Sequence, residues 1–336
     1  MKNKHLPTSL NDAGLYTLAL RWVIGWTYFS AFWRRLILDD KLIPGEAGYI
    51  GEKFNHFLPN ALGIKPIIEY LVSNPDALQT AMVTFTWVEA IVGLSILLGF
   101  FTRLMSVGIF LLALGILLGS GWLGTTCLDE WQIGVLGVAS GTVLFFTGSD
   151  AYSVDKLIIN KGLGFTHKKW FGYLGSGVLN LKYKYQIVGI LSTLVLALTL
   201  FTNQYFHGGV WGELHNKSVR PKVEISNIRY DPSHLTFQLF RVEGADVYGS
   251  FLIRIDILDQ EGKVVKSLDQ EALSSFPTDQ ISNHYVAKIR PGKYSMILPL
   301  GAKADLTMAM PDIPIRPGYS IRLVDISGIE WQAPIP

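Results

Sequence analysis

The stretch TWVEAIVGLSILLGFFTR, residues 86 to 103, decides the fold class. It is apolar over most of the roughly 20 residues that a helix needs to cross a bilayer, and Glu89 is its one carboxylate. The stretch therefore predicts a membrane helix from about Thr80 to Phe101 with an acid in its interior. Outward from it, further apolar runs predict four more spans: about Leu15 to Leu38, Leu104 to Leu123, Glu130 to Thr147 and Tyr185 to Thr202.

The composition agrees with a chain that lies partly in lipid and partly in water. Hydrophobic residues make up 49% of the 336 residues, charged residues 17%, and mean hydropathy is +0.30. The net charge is only +2, and basic residues interleaved with aromatic residues do not cluster on any one segment, which argues against nucleic acid as a partner. The single cysteine excludes an intramolecular disulfide, and no haem, flavin, iron–sulfur cluster or metal is predicted.

The short connections predict the orientation, because Lys and Arg accumulate on the cytoplasmic side. Six lysines lie between the fourth and fifth spans, and Lys2 and Lys4 lie at the N-terminus. The long first connection instead holds three lysines against six acids. We therefore expect a multi-pass protein of the cytoplasmic (inner) membrane with its N-terminus in the cytoplasm and everything after Thr202 outside, in the periplasm or its equivalent.

The segment after the fifth span has the alternating pattern of β-strands. Apolar and polar residues alternate over 222 to 230, 234 to 242, 249 to 258 and 319 to 327, with turn residues between these runs. About 130 residues with short strands are typical of an immunoglobulin-like β-sandwich, for which we expect about seven strands. The predicted fold class is a four-helix transmembrane bundle, a fifth transmembrane helix and this sandwich outside the membrane.

Two adjacent arginines end the first span, next to Trp33. Charged groups in membrane spans are costly and are usually paired or functional. Arg34 and Arg35 are explained either by snorkelling to lipid phosphates or by capture of an anion, since guanidinium groups bind oxyanions in a forked geometry.

Glu89 in the second span needs a proton or a partner, because a charged carboxylate in lipid is unfavourable. Arg21, Gly25, Tyr28, Phe32 and Arg35 follow steps of four, three, four and three, which places them on one face of the first helix. We expect Glu89 to be protonated or to form a salt bridge with an arginine of that helix. Two roles are weighed equally: a structural ion pair and a proton-handling carboxyl.

The only cysteine, Cys127, stands just before Glu130 and Trp131 in the connection that precedes the fourth span. Nearby cations would favour a reactive thiolate, whereas the neighbouring acids oppose it. The predicted topology places these residues at the same depth as Arg34 and Arg35. His215, in the stretch after the fifth helix, is either a further site residue or part of a linker that orients the sandwich.

The chain resembles a known family at these residues. RWVIG (21 to 25), FWRR (32 to 35), the opening stretch and TTCLDEWQIG (125 to 134) resemble DoxD, a membrane subunit of thiosulfate:quinone oxidoreductase within the DoxX-like family. HGGVWGELHNKSV (207 to 219) resembles the partner subunit DoxA. The resemblance implies a fusion: a DoxD-like four-helix transmembrane domain over 1–160, a basic cytoplasmic linker over 161–184, the fifth helix over 185–202 and an extracytoplasmic DoxA-like sandwich over 203–336.

This resemblance implies oxidation of thiosulfate to tetrathionate, with membrane quinone as the electron-accepting substrate. The hypothesis is that Arg34 and Arg35 hold thiosulfate, with Trp33, Trp131, Arg21 and His215 as further binding residues. Cys127 forms a cysteinyl thiosulfonate, and Glu89 or Glu130 carries protons. The bilayer, thiosulfate and quinone are the expected partners, and a homo-oligomer is compatible with them. The alternatives are a permease or binding module for a sulfur oxyanion, a quinone reductase for another sulfur compound, and a protein-binding scaffold.

Overall fold

The computed structural model describes residues 12–46, 48–124, 129–231, 233–245, 250–310 and 315–336. These residues group into two compact units. The first, the helical unit, contains the described parts of Met1–Ala47, Thr80–Gly121 and Glu130–Leu214. The second, the β unit, contains the described parts of Gly48–Gln79, Trp122–Asp129 and His215–Pro336.

The N-terminal half of the chain is helical. In chain order its α-helices are α1 (Ala13–Tyr16), α2 (Leu18–Phe32), α3 (Gly51–Phe57), α4 (Lys65–Ser73), α5 (Pro75–Leu98), α6 (Thr102–Ser120), α7 (Asp129–Thr147), α8 (Val154–Asn160), α9 (Lys169–Leu174) and α10 (Lys184–His207). A π-helical segment, Trp33–Leu38, continues α2, and short 3-10 turns cover Leu58–Asn60 and Gly164–His167.

Three of the five predicted spans meet the length and hydropathy that a bilayer requires. They are α5, α6 and α10, among the residues that the structure describes. The other two predicted spans are helical as well: α2 has 15 residues before its π-helical continuation, whereas α7 has the same 19 residues as α6 and falls short in hydropathy. Membrane crossing by α2 and α7, and the orientation of all five, stay predictions.

Close packing of α2 against α5 depends on two glycines. A Cβ atom on Gly25 would lie 2.6 Å from the backbone nitrogen of Leu97, and one on Gly93 would lie 2.4 Å from that of Phe29. Without side chains at these positions the two backbones approach directly, as small residues allow in membrane helix pairs. The core beside this crossing is apolar: Tyr28, Val92, Ile96, Ile109, Leu112 and Leu144.

The β unit holds two antiparallel sheets. Its strands are β1 (Lys222–Tyr230), β2 (His234–Glu243), β3 (Ser250–Leu258), β4 (Val264–Leu268), β5 (Ile281–Asn283), β6 (Arg290–Pro291), β7 (Met296–Leu298), β8 (Lys303–Ala309), β9 (Ser320–Asp325) and β10 (Glu330–Pro334), with a short helix α11 (Gln270–Ser274) after β4. One sheet has the order β1-β2-β8-β5 and the other β10-β9-β3-β7-β6, with β4 also paired to β3. A single core takes buried side chains from both sheets, including Phe237, Leu306, Ile257 and Leu323.

The four predicted strands are present nearly at their predicted bounds. The described residues contain more strands than the seven expected, because β4, β5, β6 and β7 are only five, three, two and three residues long. Strands of that length do not produce a measurable alternation of apolar and polar residues. The all-β prediction is confirmed, and the immunoglobulin-like classification stays a prediction.

The long connection between the first two predicted spans packs against the C-terminal sheets. Leu58, Ile68 and Val72 share a buried cluster with Tyr285 and with the ring of Phe240. The 48–79 segment therefore belongs to the same compact unit as the strands. The predicted domain bounds did not anticipate this grouping.

Polar contacts add to this packing. Asn55 is fully buried; its Nδ2 donates to the carbonyl of Gly301 at 3.0 Å, and its Oδ1 accepts from the nitrogen of Ala287 at 3.1 Å. The hydroxyl of Tyr285 donates to Glu69 at 2.8 Å. Buried polar groups that are satisfied in this way specify one docked arrangement of the segment on the sheets.

Candidate functional site

Arg35 and Glu89 form an ion pair between the end of the first helix and the interior of α5. Nη1 of Arg35 donates to Oε2 of Glu89 at 2.6 Å and to the hydroxyl of Thr86 at 3.0 Å. The two side chains are 15% and 5% exposed. The expected salt bridge between Glu89 and an arginine of the first helix is therefore present.

The local backbone explains why Arg35 can reach α5. Arg35 lies in the π-helical segment, which follows directly on α2. π-Helical turns insert a residue relative to an α-helix, shift the side chains that follow, and occur frequently at functional sites. The guanidinium carbon also lies 5.9 Å from the ring centre of Phe85, so a cation–π contact holds the group from one side.

The neighbouring arginine has a different environment. Arg34 is exposed and its Nε bonds back to the carbonyl of Ser30 at 3.3 Å, one turn earlier. Trp33 is 41% exposed, and its ring centre lies 6.0 Å from that of Phe29 with the two rings tilted. Of the two arginines, Arg35 is therefore the one whose side chain points toward α5. The sequence alone did not distinguish it from Arg34.

Tyr28 extends the polar face of α2 inward from Arg35. It is 4% exposed, and a Cβ atom on Gly137 of α7 would lie 3.0 Å from its hydroxyl oxygen. The predicted face of the first helix is confirmed, since Arg21, Gly25, Tyr28 and Phe32 are its buried residues.

Arg21 lies near the opposite end of this face. Fourteen residues separate it from Arg35, which corresponds to about 21 Å along a helix. Its Nη2 donates to the carbonyl of Tyr152 at 2.7 Å, while Nε and Nη1 have no hydrogen-bond partner among the described residues. The structure therefore does not place Arg21 beside Arg35, although both are on one helix face.

The end of the bundle that holds Arg21 is organised by Asp155, which the sequence analysis missed. Asp155 is fully buried and accepts from the backbone nitrogens of Phe101 and Thr102. Arg103 donates to four backbone carbonyls there: Phe145, Gly172, Gly175 and Gly177. The sequence did carry a sign of this role. Asp155 stands in the mostly apolar stretch VDKLII (154–159), and a buried acid usually caps a helix or pairs with a cation.

The remaining predicted site residues are dispersed. Glu130 is half-buried in the first turn of α7, and Nε1 of Trp131 donates to the hydroxyl of Thr202 on α10 at 3.0 Å. His215 is exposed and belongs to the β unit. Cys127 lies outside the described residues, so its relation to Arg35 stays a prediction.

Comparisons with known proteins match both halves of the chain. The model of the family described as TQO small subunit DoxD matches residues 16–182, and that of the family described as TQO small subunit DoxA matches residues 206–334. The gap between the two matches falls almost entirely within α10. No solved structure matches the chain.

Proposed function

This chain belongs to the DoxD and DoxA families of thiosulfate:quinone oxidoreductase small subunits, joined here in one polypeptide, and we propose that it oxidises thiosulfate to tetrathionate with membrane quinone as the electron acceptor. Two thiosulfate dianions, one quinone and two protons give one tetrathionate and one quinol. The reaction therefore needs a cationic anion site, a proton donor and access for a lipophilic acceptor.

The buried Arg35–Glu89 pair is the observation that carries this proposal. A guanidinium group is suited to an oxyanion, and a carboxyl group beside it is suited to a proton. Because thiosulfate and the Glu89 carboxylate compete for one cation, binding of the dianion at Arg35 favours a proton on Glu89. That proton is then available to the reduced quinone.

We assign the sulfur chemistry to Cys127. Its thiolate bonds to the terminal sulfur of thiosulfate as two electrons pass to quinone, which leaves a cysteinyl thiosulfonate. The terminal sulfur of a second thiosulfate then attacks the sulfur that carries the sulfonate group. The bond from that sulfur to Sγ of Cys127 breaks, which releases tetrathionate and restores the thiolate, as in thiol–disulfide exchange. The guanidinium group of Arg35 offsets part of the repulsion between the two dianions. Glu130 is the second candidate proton carrier.

In the membrane, this proposal places the N-terminus in the cytoplasm and the DoxA-like unit outside. Thiosulfate then reaches the outer end of α2, and quinone reaches the site from the bilayer. The lysine-rich connection between α7 and α10 supports this orientation, because such segments remain in the cytoplasm. A cysteine accessibility assay on intact spheroplasts, with single cysteines placed at Lys168 and Lys293 in a Cys127→Ser background, tests it directly.

The test of the activity uses the purified full chain in lipid nanodiscs. Thiosulfate should drive quinone reduction with one tetrathionate formed per quinol, and mass spectrometry of the partly turned-over enzyme should show a thiosulfonate adduct on Cys127. Cys127→Ser should form neither product nor adduct. Full tetrathionate formation by Cys127→Ser would remove the thiol from the mechanism.

Two other functions predict different results when the same purified chain is also reconstituted into lipid vesicles. A permease or binding module predicts thiosulfate uptake or binding by vesicles without quinol. A quinone reductase for another substrate predicts quinol from sulfide or a related sulfur compound and none from thiosulfate. Quinol formation across a substrate panel, together with thiosulfate uptake by vesicles, therefore separates the three functions.

A further inference from the structure

An aromatic row covers one exposed face of α2 and its continuation. Trp22, Trp26, Phe29 and Trp33 follow steps of four, three and four, so they lie on one side of the helix. Trp26 and Trp33 each contact Phe29, with ring centres 6.0 Å apart in both pairs. The three tryptophans are exposed, while Arg35 and Tyr28 point into the bundle.

A matching apolar row covers α5. Trp87, Ile91, Leu94 and Leu98 follow steps of four, three and four, and all of them are exposed. Since α2 and α5 cross in contact at Gly25 and Gly93, the two rows border one seam. The rings of Phe32 and Trp87, 5.3 Å apart, join its two sides near Arg35 and Glu89.

The seam opens at its other end into a cavity of about 1150 Å³. Trp22, Trp26, Leu97 and Leu98 form part of its wall, and Val154 and Leu157 line it from α8. This volume exceeds the roughly 300–1,000 Å³ of ordinary small-molecule pockets. It is suited to a long, flexible apolar chain.

We propose that the membrane quinone binds along this seam, with its ring against Trp33 and Trp87 and its isoprenoid tail in the cavity between α2, α5 and α8. This assignment rests on the proposed function. It adds the place where the quinone binds and the orientation of its ring and tail. A quinone ring is flat and polar at its oxygens, so it fits indole faces beside the Arg35–Glu89 pair. The tail is apolar and fits the cavity wall.

The reverse orientation is disfavoured by distance. Trp22 and Trp33 are eleven residues apart, which corresponds to about 16 Å along a helix. A ring placed beside Trp22 would therefore be far from the Glu89 proton and from the anion site at Arg35. An acyl chain of a membrane lipid is the competing occupant, but it gains nothing specific from a row of aromatic rings that leads to a buried ion pair.

Tail length provides the first test. Thr27→Trp fills the cavity, because Thr27 is part of its wall. Ile190→Trp introduces the same side chain at an exposed apolar position of α10. We expect Thr27→Trp to raise KM for a long-tailed ubiquinone at least fivefold, with KM for thiosulfate and for a short-tailed ubiquinone unchanged. Ile190→Trp should change none of the three. Equal effects on both ubiquinones, or no effect on either, would overturn the assignment of the tail to the cavity.

Photolabelling provides a second test that needs no turnover. An azido-ubiquinone should label peptides from α2 and α5 in the wild-type chain, and excess long-tailed ubiquinone should prevent the labelling. Two results would overturn the proposal: labelling found only on other helices, or a phospholipid that stays bound at the seam when ubiquinone is added in excess. A chain that labels at the seam yet reduces no quinone with thiosulfate would contradict the proposed function and leave the binding site supported.

Discussion

Arg35, in the π-helical continuation of α2, donates to Glu89 of α5 at 2.6 Å, and both side chains are largely buried. Each partner depends on the other, since an ion left alone in such surroundings keeps its full desolvation penalty. The pair therefore fixes the packing of two helices and holds a cation and an acid together. The predictions below separate the structural part of this role from the chemical part.

Removing one partner should destabilise the helical unit more than removing both. Arg35→Leu leaves Glu89 buried and unpaired, at a cost of roughly 3–5 kcal/mol. The double variant Arg35→Leu/Glu89→Leu should recover most of that loss, because apolar side chains then replace the whole pair. Thermal unfolding of Arg35→Leu, Glu89→Leu and the double variant in matched detergent measures these losses. A double variant as unstable as the sum of the single variants would show that the two residues act independently.

Glu89→Gln should separate substrate binding from turnover. The amide is nearly isosteric and leaves Arg35 without a competing charge, so KM for thiosulfate should stay the same or fall. Loss of the proton donor should lower kcat at least tenfold. Steady-state kinetics with saturating quinone give both constants. An unchanged kcat would leave Glu89 with a structural role only.

Tyr285 should make the stability of the β unit depend on pH in the alkaline range. Burial raises the pKa of Tyr285, and its hydrogen bond to Glu69 raises that pKa further. The folded state then holds the phenolic proton more tightly than the unfolded state does. This contribution to stability is complete below the unfolded pKa of about 10 and is lost as pH rises above it toward the higher folded pKa.

The measurement compares unfolding of the wild-type chain and Tyr285→Phe from neutral to strongly alkaline pH. The free-energy difference between them should shrink as pH rises, because only the wild-type chain loses this contribution. Tyr294→Phe removes a tyrosine hydroxyl at a 70% exposed position and is the matched control. A free-energy difference for Tyr285→Phe that does not change with pH would contradict the assignment.

A chain cut after Gly212 should remain assembled. Residues 48–79 would stay with the N-terminal fragment and the strands would be on the other, yet these parts share an apolar cluster and the Asn55 contacts. Co-expressed fragments should therefore copurify. Asn55→Ala leaves two buried backbone groups unsatisfied, at about 1–3 kcal/mol each, and should weaken the complex at least tenfold. Asn180→Ala, at an exposed position, should not; separation of the unmodified fragments would contradict this account.

Much of the architecture could be predicted from the sequence because its periodicities are strong. Hydropathy located α5, α6 and α10, and alternation located β1, β2, β3 and β9. The lone Glu89 also predicted its arginine partner. The choice of Arg35 over Arg34 could not be predicted, because it depends on a π-helical segment whose register hydropathy does not reveal. The docking of 48–79 on the sheets was missed for a related reason: local sequence patterns carry no information about contacts more than 200 residues away, such as Tyr285 with Glu69.

The central claim is that Arg35, paired with Glu89, binds thiosulfate for a reaction that reduces quinone. Its most direct test compares Arg35→Lys with Arg34→Lys in thiosulfate-driven quinone reduction by the purified chain, after both variants have been shown to unfold at the wild-type temperature. The account predicts that Arg35→Lys raises KM for thiosulfate at least tenfold, since a lysine ammonium cannot offer an oxyanion the two parallel N–H donors of a guanidinium group, while Arg34→Lys retains wild-type kinetics. Wild-type kinetics for Arg35→Lys, or a larger loss for Arg34→Lys, would contradict it.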